Sequence, residues 1–263
     1  MRLRVMLRKE LLDLLRNRAA LIPVVLVTLV SFALPFTIIV AIPAMTAHHL
    51  GDDADLARVS LVMGAPASLS ATGRVQLFLF QQFLMMFLLT PITGAMSLAA
   101  HGVVGEKQAR TLEPLLATPI TTFELLVAKV LGALIPTLGI SFAGLALYFL
   151  TVPLVAEPGV VSAMLSARTL LLVALVGPMA ALVALQAAMV ISSRVNDART
   201  AQQFGVLLII PLTALLIAQF TGRLWLSAAT LAVLGLGLFG AWILLTILSV
   251  SLFEREAILT RWT

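Results

Sequence analysis

Six long apolar runs alternate with short charged or Pro-containing connections, and this pattern sets the architecture of the chain. The runs lie at about Leu21–Pro43, Val75–Ala100, Leu125–Thr151, Thr169–Ser193, Phe204–Thr221 and Trp225–Phe253. Each meets the length of about 20 apolar residues that a helix needs to cross a bilayer. The second and sixth exceed it, which predicts tilt, a kink or an interfacial extension. Pro23, Pro35, Pro91, Pro136, Pro178 and Pro211 fall inside these runs, and each removes a backbone donor and favours a kink. The predicted fold is an all-α integral membrane domain of six transmembrane helices, occupying residues 1–263 with no separate soluble domain.

The flanks refine that picture. In residues 1–18, Leu3, Leu7, Leu11, Leu14 and Leu15 fall on one helical stripe, with Arg2, Lys9, Asp13 and Arg16 opposite. That spacing predicts an amphipathic helix lying in the cytosolic interface. A signal peptide would share the basic start, but the apolar run from Leu21 is longer than the 7–15 residues of such a peptide's core. Residues 44–74 form the longest external connection. They carry Asp52, Asp53 and Asp55, and Leu56–Leu69 is apolar enough for a short interfacial helix. Residues 254–263 are expected to form a cytosolic tail.

Composition excludes the soluble alternatives. Hydrophobic residues make up 61% of the 263 and charged residues only 11%, against about 25% charged in a soluble domain. The net charge of +5 does not indicate nucleic acid, because the basic residues sit at the ends of apolar runs. Arg58, Arg74, Arg168 and Arg223 fall on one side of the predicted membrane, and the other thirteen Lys and Arg on the opposite side. That asymmetry predicts cytosolic N- and C-termini. With no cysteine, neither a disulfide framework nor a thiolate metal site can form.

One connection does not read as a simple link. Residues 101–124 are charged and Pro-punctuated, between two apolar runs. Thr121 and Glu124 fit a capping box that launches a helix into the third run. Glu106–Ala117 can form a shorter helix that ends before Pro119. Two helical pieces joined at Thr118-Pro119-Ile120 would make a rigid cytosolic elbow continuous with a span. A solvated loop joining spans two and three fits the same residues.

The residues Glu106–Lys129, reading EKQARTLEPLLATPITTFELLVAK, strongly resemble the signature of ABC-2 type permeases, the transmembrane subunits of ABC transporters. Ile191–Gln203 followed by Pro211 is similar to the family's fourth-to-fifth loop, and Phe253–Leu259 to its tail. Gln108 stands where the family often has Glu, and Arg110 where many members have Gly. Arg110 adds a donor that can pair with an acidic partner surface. The resemblance implies that the elbow docks on a separate nucleotide-binding subunit. It assigns partner coupling to Glu106, Lys107, Arg110, Thr111, Leu112 and Glu113, with Leu115, Leu116 and Pro119 shaping the turn. ATP and Mg would then be bound by that partner ATPase, and no Gly-x-x-x-x-Gly-Lys-[Ser/Thr] run occurs in this chain. Six spans are half the usual complement for such an exporter, so a second permease subunit, identical or homologous, is expected.

Catalytic readings are weaker. His48 and His49 lack a third ligand at metal spacing, so no metal site is expected. Ser141 reads as a packing residue rather than a nucleophile, leaving an intramembrane hydrolase as the least favoured rival. A membrane anchor that recruits an ATPase without transporting would share the whole pattern. No ionised residue is expected in mid-membrane, which tilts the substrate toward an amphipathic or lipid-like molecule. Gln81, Gln82, Thr90, Thr93, Gln186 and Gln219 either line a substrate path or join helices by hydrogen bonds. Gly94, Gly132, Gly139, Gly144, Gly235, Gly237 and Gly240 are assigned to close helix packing.

Overall fold

Some of the prolines, through their missing N–H groups, mark where the long apolar segments depart from regular α-helix, while Pro23, Pro35, Pro136 and Pro211 lie inside continuous helices. The computed structural model describes residues 2–46, 49–62, 64–108, 122–194 and 198–252, and no strand occurs among them. Helix α1 (Arg2–Arg16) is followed by α2 (Arg18–Phe36), which passes through a π turn at Thr37–Ala41 into α3 (Ile42–Thr46). The π turn includes Ile39, the residue whose carbonyl Pro43 would otherwise bond.

The second apolar run is broken in the middle. Helix α5 (Ala71–Met86) ends in a tight turn at Phe87–Leu88, and α6 (Leu89–Gln108) resumes. Phe87 and Leu88 bond back three residues to Leu84 and Met85, because Pro91 offers no donor to the carbonyl of Phe87. Helix α6 continues to Gln108, beyond the expected end at Ala100. The third run is one long helix, α7 (Thr122–Thr151), with Pro136 inside it. The fourth begins as α9 (Ala167–Leu171), passes a π turn at Leu172–Val176 before Pro178, and continues as α10 (Gly177–Arg194). Helices α11 (Ala198–Phe220) and α12 (Ala228–Leu252) complete the chain.

Among the described residues, five segments are long and apolar enough to cross a membrane: Arg18–Met45, Ala71–Ala99, Glu124–Leu154, Ala167–Ser192 and Ala228–Val250. Within α11, the described apolar portion is Ile209–Phe220. Ala71–Ala99 is the central element, with 89% of its most apolar window buried, against 11% for Ala228–Val250. Around α6 pack α2, α7, α10 and α11. Helix α12 is apolar on all sides yet leaves Val233, Leu236, Leu244 and Ile247 exposed. Only a hydrocarbon surrounding or another apolar surface suits such a helix.

The two ends of the bundle are built differently. At one end α1 lies across the start of α7, burying Met6 against Leu125 and Ala128. The other end carries a cap made of the 49–70 connection, with helix α4 (Ala54–Val62), and the 152–166 connection, with helix α8 (Val160–Met164). Glu157 ties the cap down: its N–H donates to Gln76 Oε1 at 2.8 Å, and its carboxylate accepts from Ser70.

Candidate functional site

The segment expected to couple to a partner falls mostly outside the described residues. Arg110, Thr111, Leu112, Glu113, Leu115, Leu116 and Pro119 lie there, as does the capping residue Thr121. Glu106 and Lys107 sit in the last turn of α6, and α7 resumes at Thr122. The segment therefore connects the central helix directly to the helix on which α1 docks. Ser97 of α6 donates to the carbonyl of Ala20 in α2 at 3.0 Å. Lys129, next to Ala128 and one turn beyond Leu125 on α7, is buried as well.

The polar path candidates are all buried or half-buried, and they are dispersed. Thr28 Oγ1 donates to Thr90 Oγ1 at 3.4 Å between α2 and α6. Gln82 Nε2 donates to the carbonyl of Leu216 in α11 at 3.1 Å, leaving Gln82 Oε1 without a partner among the described residues. Gln219, on the same helix, has neither side-chain polar atom partnered among the described residues. Gln186 donates to Thr246 at 3.0 Å and accepts from Ser249 at 3.1 Å, locking α10 to α12. The contacts of Thr90, Gln82 and Gln186 each join a pair of helices. Thr93 is half-buried on α6.

Ser141 is buried and lines a small apolar cavity of about 20 Å³ with Phe87, Leu88 and Pro91. No histidine or carboxylate lines that cavity. No cluster of three His, Asp or Glu side chains that could hold a metal occurs among the described residues.

One flanking charge has a different place from that expected of it. Arg168 counts in the sequence as a solvated flanking charge, but it is buried, at 8% exposure, in the first turn of the fourth segment. Its Nε donates to the carbonyl of Leu226 at 2.9 Å and its Nη1 to Gln81 Oε1 at 2.8 Å. The guanidinium lies 3.7 Å from the ring centre of Trp225, in cation–π contact. Nη2 has no partner among the described residues. Gln81 thus serves a cation at one end of the bundle, and no apolar period in the sequence marks this contact between residues 87 positions apart. Beside it opens a cavity of about 360 Å³, lined also by Arg74, Leu77 and Phe78.

An all-helical bundle with apolar outer faces, polar contacts kept inside and five membrane-length helices defines a multi-pass membrane protein. The chain belongs to the ABC-2 transporter family: the sequence pattern described as ABC-2 family transporter protein matches residues 4–250. No curated protein matches the chain.

Proposed function

We propose that this chain is the permease subunit of an ATP-driven ABC exporter, with six spans and both termini in the cytoplasm of a cell inner membrane. Family membership over residues 4–250 is the observation that carries this reading. The connection of residues 101–124 is its mechanical element. Closure of two partner ATPase subunits, which bind ATP and Mg, displaces the elbow and α1. Helices α6 and α7 then re-pack, with the Phe87–Leu88 break as a ready point of bending. A second permease, identical or homologous, supplies the other half of the path. The contacts of Gln81, Gln82, Thr90 and Gln186 go to different segments, which fits a path completed by a second chain.

The test is reconstitution with the partner ATPase in proteoliposomes. ATP-dependent flux of an amphipathic substrate is expected. ATP turnover with no flux of any tested amphiphile would favour the anchor reading instead.

A further inference from the structure

The cavity at the capped end presents two guanidinium side chains and, among the described residues, no carboxylate. We propose that it is a binding site for the phosphate or carboxylate headgroup of an anionic amphiphile, held by Arg168 and Arg74. The site is read from these side chains alone and depends neither on ATP coupling nor on transport.

Arg168 supplies the first argument. A buried cation is costly in a membrane protein and is expected to meet a counter-charge or a functional ligand. Here it meets neither among the described residues. Two of its three nitrogens donate to neutral acceptors, Leu226 O and Gln81 Oε1, and the third, Nη2, is buried with no partner among the described residues. The Trp225 ring covers one face and offsets part of the desolvation without neutralising the charge. An anion would supply what these neutral contacts leave out, and a guanidinium binds phosphate or carboxylate in a fixed fork geometry.

Arg74 supplies the second. It is half-buried, its Nη1 donates to the carbonyl of Leu69 at 3.0 Å, and it lines the same cavity from the first turn of α5. Like charges at one cavity raise its positive potential and favour an anion over a cation or a neutral solute. The space is far more than one water requires. Leu77, Phe78 and Trp225 supply an apolar wall against which an acyl or other apolar tail can lie.

The full-length chain, purified in detergent and stripped of lipid, can be titrated with phosphatidylglycerol, phosphatidylcholine or inorganic phosphate. Native mass spectrometry reads lipid retention, and thermal melting reads phosphate. Expected is retention of phosphatidylglycerol at least about tenfold above phosphatidylcholine, falling about tenfold in both Arg168→Gln and Arg74→Gln. Stabilisation by inorganic phosphate without lipid retention, lost in the same variants, would support the anion site and identify its ligand as soluble. Arg74→Gln, at a half-buried position, keeps the test valid if Arg168→Gln does not fold. Equal retention of both lipids with no effect of phosphate, or anion binding unchanged in Arg74→Gln, would overturn the proposal.

Discussion

Tyr148 donates its hydroxyl to the carbonyl oxygen of Phe80 at 2.8 Å, and both residues are fully buried. This is the chain's single tyrosine. Its ring stands edge-on to Phe36, Phe80 and Phe87 at centroid distances of 5.5, 6.0 and 5.3 Å. One residue of α7 thereby holds α2, α5 and the turn at Phe87. Tyr148→Phe keeps the rings and removes only the hydrogen bond. It should lower stability by about 0.5–1.5 kcal/mol, read as a fall in melting temperature in detergent. An unchanged Tm would show that this bond contributes nothing to holding the break.

The glycines divide into two groups. A Cβ at Gly94 would stand 2.7 Å from Thr137 Cγ2 and 3.1 Å from Val24 Cγ1, whereas one at Gly237 meets nothing within 4 Å. Thr137 cannot swing away freely, because its hydroxyl donates to Ala133 O at 2.7 Å. Gly94→Ala should cost about 1–3 kcal/mol. Gly237→Ala should be neutral or stabilise by up to about 1 kcal/mol through helix propensity. Parallel melting curves decide, and equal losses would refute the difference.

Gly159 has φ +90, a conformation that side chains rarely adopt, and an added Cβ would also meet Leu69 Cδ2 at 2.9 Å. Gly159→Ala should therefore destabilise by about 1–3 kcal/mol. Because Gly159 follows Glu157 in the cap, protease sensitivity should rise first in residues 49–70 and 152–166.

Orientation can be read chemically, since the chain has no cysteine to mask. Ser68 and Arg8 are both exposed, at opposite ends of the bundle. A membrane-impermeant maleimide should label Ser68→Cys in intact cells and Arg8→Cys only after permeabilisation. The reverse pattern would invert the proposed topology and remove the cytosolic elbow.

Coupling is tested at the elbow itself. Arg110→Glu and Glu113→Ala should each reduce ATP-driven flux about tenfold, the scale of losing a coupling free energy of about 1.4 kcal/mol. ATP turnover by the assembled partner should persist. Wild-type flux in both variants would contradict the assignment of these residues.

The apolar runs alone determined that the chain is a helical membrane protein, because a bilayer-spanning helix must satisfy its backbone within about 20 contiguous residues. Local chemistry marked only some irregularities: of the prolines expected to disturb their helices, Pro91 and Pro178 accompany a break and a π turn, whereas Pro23, Pro35, Pro136 and Pro211 lie inside continuous helices. The family was legible in Glu106–Lys129 and is shown by the match over residues 4–250. What the tertiary structure decided is where polar groups meet. Gln186 finds Thr246 and Ser249, and Arg168 turns inward to Gln81 and Trp225. Uniformly apolar helices carry no stripe that fixes their rotation, so these partners are set by packing between segments and not by spacing along any one of them.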